Sequence, residues 1–459
     1  MKAPIGIRRE DKSPWERRVP LTPRKVRELR EKFGVEFLVQ PSPVRVFREN
    51  EFEQAGAAVR DDLTPASVIF AVKEIPAKHF EPGKTYIFFA HVIKGQPYNM
   101  PMLKRMMELG CNLVDYEKVT DEHGRRLIFF GWHAGVVAMI ESLWALGQRL
   151  AWEGISNPFT DIRNTYTHDS LDLARADVRA AGERIKIEGL PQAIAPLIVG
   201  VAGYGNVGRG IQEILTDLPT VEIQPEDVAR VANDPNASRN VVYRATFKEE
   251  HTVEPATLGA RFDLQDYYQH PDRYRPRFEQ YLPYLTVLMN SNYWDSRYPR
   301  LVTKANIREL FGGDKPPRLR VIGDASCDIE GGIECTVQST DPDQPVYVYD
   351  PDASRGAATL GVAGRGPVIL AVDILPSELP REASEYFSDI LAPFIPAIAQ
   401  ADFSVAFEKL DIPPEIRRAV ILYHGQLTPD YKYIEQYLNP PQVVTLEQLA
   451  TRDMEASCN

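Results

Sequence analysis

LIVGVAGYGNVGRGIQEIL, residues Leu197 to Leu215, contains a strand, a turn and a helix in succession. The apolar run Leu197-Ile198-Val199-Gly200-Val201-Ala202 has the length and composition of a buried parallel strand. It runs into Gly203-Tyr204-Gly205-Asn206-Val207-Gly208, a G-x-G-x-x-G, and then into a helix whose apolar face carries Ile211, Ile214 and Leu215. In a dinucleotide site each glycine has its own task. Gly203 permits the tight turn, Gly205 lets backbone approach a pyrophosphate, and Gly208 lets helix and strand pack closely. Asn206 and Val207 complete the loop, and the helix start offers free N–H groups and a positive dipole end to phosphate. A bare G-x-G-x-x-G is weak and fits an ordinary glycine turn. Its place between a buried strand and an amphipathic helix points to a nicotinamide dinucleotide.

The rest of the chain sets the frame. Its 459 residues allow two or three domains with sizeable cores. The 44% hydrophobic and 25% charged fractions are those of a soluble globular protein. A net charge of −11 argues against nucleic acid and anionic membrane as partners, since both demand a basic face. No apolar run approaches the ~18–20 residues of a membrane span. The N-terminus lacks an apolar signal core, which gives a cytoplasmic expectation. Cys111, Cys327, Cys335 and Cys458 form no C-x-x-C and have few histidine neighbours. They read as reduced, partly buried thiols, and no metal site is expected.

From the N-terminus, Pro4 to Ile7 is a candidate strand followed by Arg8. Thr22 is placed to cap a helix with Pro23 at its first position, Gly34 ends it, and Val35 to Gln40 reads as a second strand. Ser67 to Val72, Tyr86 to Ala90 and Cys111 to Tyr116 are further strands, with a helix from Met100 to Leu109. This βαβ rhythm predicts a first α/β domain with a parallel sheet. Lys73-Glu74, His91 and Glu117 follow three of its strands, and ligands of open α/β sheets bind beyond strand carboxyl ends. On position alone, an edge lysine and a solvated histidine fit Lys73 and His91 equally well.

Ala134 to Trp152 is apolar all round and predicts a helix through the core between domains. A polar, locally helical connector follows over 155–190. Residues 225–282 are charged and tyrosine-rich and read as a helical or irregular insertion. Tyr284 to Asn290 and Arg318 to Gly323 are strands ending at Asn290 and Asp324, which should face the nicotinamide end of the site.

Taken together and in order, ERRVPLTP (Glu16 to Pro23), VKEIP (Val72 to Pro76), FFAHVIKGQ (Phe88 to Gln96), VDYEKVTDEHGRRLIFFG (Val114 to Gly131), AGYGNVGRG (Ala202 to Gly210) and GDASCD (Gly323 to Asp328) carry a resemblance. So do PSELPREASEYFSDIL (Pro376 to Leu391) and LTPDYKYI (Leu427 to Ile434). The chain resembles, over essentially its whole length, the lysine–2-oxoglutarate reductase half of the bifunctional aminoadipic semialdehyde synthases. It is similar also to lysine-forming saccharopine dehydrogenase and, more remotely, to alanine dehydrogenase and the nucleotide-binding part of transhydrogenase. The second, glutamate-forming dehydrogenase half has no counterpart here, so a separate enzyme of that kind is an expected partner.

The resemblance implies an α/β fold of two lobes with parallel sheets, the second a Rossmann lobe, and the active site in the cleft between them. It divides the chain into 1–133, 134–329 with the insertion at 225–282, and a segment 330–459 that returns to the first lobe. The implied reaction reversibly couples the ε-amine of lysine to the ketone of 2-oxoglutarate and reduces the imine to saccharopine. Lys73 and His91 are then the acid–base pair, and Arg18 grips a carboxylate in bidentate fashion. Arg8 and Arg126 are further cations, while Glu74 and Glu117 balance the amines. A lysine that starts near ~10.4 needs a depression of about three units, roughly 4 kcal/mol, to act as a base near neutrality. Burial beside Arg18 and His91 would supply it; Glu74 would oppose it. Alanine dehydrogenase chemistry, a dead-site regulatory homologue and motifs that merely pack are the competing readings. The long insertion and VDYEKV favour the saccharopine branch.

An acid that reads the ribose 2′-OH belongs about 20 residues past the first glycine. The strand Val221-Glu222-Ile223-Gln224 puts neutral Gln224 there, with Glu222 and Glu226 nearby. Gln224 would not repel a 2′-phosphate, and the resemblance implies NADPH for the reductases and NAD for the lysine-forming dehydrogenases, so NADP(H) is favoured and NAD(H) remains open.

Overall fold

The computed structural model describes residues 3–313, 316–352 and 358–438, which form two compact units, Met1–Phe129 with Ser384–Asn459 and Phe130–Ala383. The first unit begins with β1 (Ile5–Ile7), β2 (Phe37–Val39), β3 (Ala58–Val59), β4 (Val68–Phe70), β5 (Thr85–Phe88) and β6 (Asn112–Asp115). The second carries β7 (Leu197–Ala202), β8 (Thr220–Glu222), β9 (Val242–Phe247), β10 (Val253–Pro255), β11 (Tyr274–Pro276), β12 (Val287–Asn290), β13 (Val321–Asp324), β14 (Val346–Tyr349), β15 (Ala358–Leu360) and β16 (Val368–Leu370). The returning chain adds β17 (Val420–Tyr423) and β18 (Gln426–Leu427) to the first unit.

The first unit's sheet has the order β18-β17-β6-β5-β4-β1-β2-β3. Its strands from β6 to β3 run parallel, and β17 joins β6 antiparallel. β1, β2 and β4 are buried along their whole length and wholly apolar, as parallel strands covered on both faces must be, whereas β5 and β6 also bury Thr85, Asn112 and Asp115 and the edge strand β3 is partly exposed. The helix Pro23–Phe33 starts and ends as the sequence predicts, with Pro23 first and Gly34 left-handed at φ 67°. Thr22 occupies the cap position without a capping bond from its side chain, and its hydroxyl lies 3.5 Å from Ser388 Oγ. Ser384 and Ser388 each accept a 3.0 Å bond from backbone N–H, of Val19 and Thr22 respectively. The returning segment thereby fixes the ERRVPLTP element.

The second unit's large sheet has the order β15-β14-β16-β13-β12-β7-β9-β8. Three expectations need correction here. The return to the first unit falls at residue 384 within the helix Pro380–Leu391, not near 330, because β14 and β16 extend the dinucleotide sheet, β16 lying parallel to β13. The segment 225–282 is not merely helical or irregular. It contributes β9, paired with β7 along its whole length, because Arg244 can lie in a strand while its guanidinium reaches Gln212 and Glu222. Lastly, β8 is an edge strand, separated from β7 by β9.

The long apolar helix runs from Gly131 to Trp152 and packs within the second unit against the helix Asn206–Leu215 and strands β12, β13 and β16. Gly135 and Gly210 allow the two helices to approach. A Cβ on Gly135 would enter the Val207 carbonyl, and one on Gly210 the Trp132 carbonyl. Among the described residues no helix is long and apolar enough to cross a membrane. Cys111, Cys327 and Cys335 are free thiols, the first and last buried; Cys458 lies outside the described residues.

Candidate active site

In the first unit, the residues that follow β4, β5 and β1 converge. Lys73 and Glu74 come just after β4, and His91 just after β5. Glu74 Oε1 lies 2.7 Å from His91 Nδ1, and Glu74 Oε2 accepts a 2.8 Å bond from Lys12 Nζ. Burial alone would raise the Glu74 carboxyl, but the bond to His91 and the charges of His91 and Lys12 hold it well below the usual range. His91 has a left-handed backbone, φ 48°, an uncommon and costly conformation outside glycine. Asn99, itself buried, holds it there by donating to the carbonyls of Ala90 at 3.0 Å and His91 at 3.2 Å.

Lys73 is half-buried, and its backbone N–H donates to Glu10 Oε2 at 3.0 Å. Among the described residues its ammonium has no hydrogen-bond or ion-pair partner. Burial and then the Arg18 charge lower its pKa, opposed by Glu16 and Glu74. Glu74 thus bonds His91 directly and acts on its neighbour Lys73 through charge alone.

The predicted cations divide. Arg18 donates from Nε and Nη2 to both oxygens of Glu16, at 2.7 and 2.6 Å, with both side chains shut off from solvent. A guanidinium already forked onto a carboxylate two residues away is not presenting that fork to a ligand. Its charge, after burial, helps to lower the Lys73 pKa. Arg8 likewise forks onto Asp11, at 3.1 and 2.6 Å, and no bond joins it to Lys73 or His91. Arg126 differs. It is partly exposed, donates from Nε to the Ile128 carbonyl at 2.7 Å, lies over the Phe89 ring and stands 3.8 Å from Glu117. Of the three arginines it is the most exposed.

Sequence reading passed over Glu10, Glu16, Lys12, Asn99 and Asp115. Glu10 accepts from the N–H groups of Val72 and Lys73, and burial, then Glu16, raises it to about 7. Asp115 closes β6 next to the β5 end and accepts from Glu117 N–H at 2.9 Å. Burial, then the Glu117 charge, raises it to about 7 as well. Both lie at or just beyond strand carboxyl ends, so the positional argument that found Lys73 and His91 could have found them.

In the second unit the glycine loop has the form its sequence requires. Gly203 stands at φ 105°, and a Cβ there would crowd Ser291 Oγ. A Cβ on Gly208 would press on the Gly203 carbonyl at 2.6 Å. Around Gly205 there is open space, so backbone is exposed where a pyrophosphate would lie. The helix begins at Asn206, whose side chain accepts from Arg209, and Val207 sits in its first turn. These residues fit a dinucleotide.

The other predicted cofactor contacts fare differently. Asp324 is fully buried and accepts from Thr336 Oγ1 at 2.6 Å, Ser326 Oγ at 2.7 Å and Asn290 Nδ2 at 2.9 Å. It ties the ends of β12 and β13 together, its carboxylate taken up by these three donors. Asn290 shares that bond and also borders a cavity. Gln224 follows the edge strand β8, which β9 separates from the glycine-loop strand β7.

Residues 6–137 match the family model described as the alanine dehydrogenase/PNT N-terminal domain. The bovine mitochondrial alpha-aminoadipic semialdehyde synthase is 35% identical over 95% of this chain and 48% of its own length. The chain thus spans about half the length of that relative. The Neurospora crassa saccharopine dehydrogenase [NAD(+), L-lysine-forming] is 30% identical over 85% of this chain and 89% of its own. Among solved structures, an L-alanine dehydrogenase aligns over 95% of this chain and 99% of its own at a TM-score of 0.58 and 16% identity, which shows a shared fold. With the glycine loop and the strand-end cluster in place, the chain belongs to the saccharopine dehydrogenase family of oxidoreductases, built on the alanine dehydrogenase fold.

Proposed function

We propose that this chain condenses the ε-amine of L-lysine with the ketone of 2-oxoglutarate and reduces the imine to saccharopine. A reduced nicotinamide dinucleotide on the Gly203–Gly208 loop would supply the hydride. The observation that carries this reading is the Lys73–Glu74–His91 cluster, with a lysine whose ammonium is unpartnered and whose pKa is lowered.

Imine formation needs a proton taken from the amine and one given to the departing hydroxyl of the carbinolamine. Lys73, lowered by burial and the Arg18 charge, releases its proton more readily than an exposed lysine and takes it back in the reverse step. Glu74, held ionised, bonds His91 Nδ1, which fixes the ring and leaves Nε2 as the exchanging position. Arg126 would take a substrate carboxylate, with Glu117 beside it for an amine. With β8 at the sheet edge the position of Gln224 carries less of the cofactor preference, and the NADP(H) reading rests on the resemblance to the reductases, with NAD(H) as the alternative.

The test is oxidation of NADH or NADPH by the purified chain in the presence of lysine and 2-oxoglutarate, with the product identified by mass. Saccharopine formed only when both substrates are present supports the proposal. Oxidation driven by pyruvate and ammonia, with none driven by lysine and 2-oxoglutarate, would overturn it.

A further inference from the structure

Within the strand-end cluster His91 alone has a left-handed backbone, and the side chain bonded to that turn is Asn99. Asn99 stands where the helix Met100–Glu108 begins, a position at which an asparagine side chain ordinarily accepts a bond from the first turn. Here it makes no capping bond. It is buried and turned back to the end of β5, with Nδ2 3.0 Å from the Ala90 carbonyl, 3.2 Å from the His91 carbonyl and 3.5 Å from Glu74 Oε1. One amide thus reaches both halves of the Glu74–His91 pair. The loop between His91 and Asn99 is closed by two tight turns: Gly95 N–H donates to the Val92 carbonyl and Asn99 N–H to the Gln96 carbonyl, each at 3.0 Å. From the other side, Tyr433 Oη donates to the Ile93 carbonyl at 2.8 Å, and the Tyr437 ring packs on Gly95, where a Cβ would collide with it. These tyrosines lie in and just after the LTPDYKYI stretch, so the returning segment holds the far side of the loop.

Backbone dihedrals set the direction of the Cα–Cβ bond, so a histidine that fell back to negative φ would aim its ring elsewhere. Phe89 stacks on the His91 ring at 6.2 Å and Glu74 takes Nδ1 at 2.7 Å, but both contacts need the ring presented to them. We propose that Asn99 is a positioning residue: by bonding the two carbonyls it keeps the His91 backbone left-handed, so that Nδ1 stays on Glu74 and Nε2 is left for proton exchange. The proposal rests on the acid–base reading of His91 and deepens it. Because Asn99 acts through His91, its effect belongs in turnover and only while His91 is present.

A double-mutant cycle on the whole chain tests it, with saccharopine formation as the readout. Asn99→Leu keeps roughly the shape and loses the donor; it should lower kcat by about tenfold or more, with both KM values within about threefold of wild type. Added to His91→Gln, the same substitution should lower kcat by less than about threefold further. A smaller fall in the wild-type background overturns the proposal. So does a larger one in the His91→Gln background, since a residue that served only the fold would act whether or not His91 were present. Asn99→Ala takes the place of the leucine variant if that one does not fold; if neither folds, Asn99 serves the fold and the proposal falls. Wild-type turnover by His91→Gln alone removes the acid–base reading of His91, whereas no saccharopine from the wild type removes the proposed function itself.

Discussion

Arg18 and Glu16 are paired through two short bonds and are each only 2–3% exposed. Removing one partner of a buried ion pair leaves the other charge stranded, at a typical cost of about 3–5 kcal/mol. Arg18→Ala should therefore act first on stability, shifting the urea midpoint downward. An unchanged midpoint with a raised KM for 2-oxoglutarate would return Arg18 to the role of substrate grip. Asp115 permits a pH test. Its folded pKa is about 7 against an ordinary 3.8, so the folded state holds a proton that the unfolded chain has lost. Its stabilising contribution is full below ~4, falls as pH rises toward 7, and is gone above that. Asparagine keeps the acceptor for Glu117 N–H without ionising. The melting temperature of Asp115→Asn minus that of wild type should rise from pH 5 to pH 8. A difference that stays constant across that range would show that Asp115 does not titrate there.

The glycine loop was legible because much of its turn chemistry is local: Gly203 takes a positive φ, and Gly208 packs on the Gly203 carbonyl five residues earlier. Gly205→Ala makes the functional half of that statement testable. A Cβ there meets nothing within 4 Å and φ is −72°, so the melting temperature should hold. Dinucleotide affinity should still drop at least tenfold, since the methyl fills the space meant for pyrophosphate. Unchanged affinity would mean that the loop is not the cradle. Gly135→Ala is the converse, destabilising by about 1–3 kcal/mol because its Cβ meets the Val207 carbonyl. Less local features were not readable. β9 was missed because Tyr243 and Arg244 break the apolar pattern, and the partners of Arg244, Gln212 and Glu222, lie in other elements. Nor does sequence order reveal sheet order, so Gln224, at the end of the next strand in the chain, is not at the end of the next strand in space.

For the chain as a whole, the βαβ rhythm and the ordered motifs were enough for fold class and family. They did not reveal that β14 and β16 delay the return until residue 384, because VYVY and VILAV suit either sheet equally well. In the candidate site, strand-end position was enough to group Lys73, Glu74 and His91 near one another, while the engagement of Arg18 and Arg8 depends on side-chain directions that spacing does not encode. The central claim is that Lys73 carries proton transfer in saccharopine chemistry. Its most direct test is the turnover number of Lys73→Met for saccharopine formation, measured beside cofactor affinity and melting temperature. The prediction is a fall of roughly 10²–10⁴, the usual worth of a placed acid or base, with the other two quantities unchanged. Wild-type turnover by that variant would contradict it.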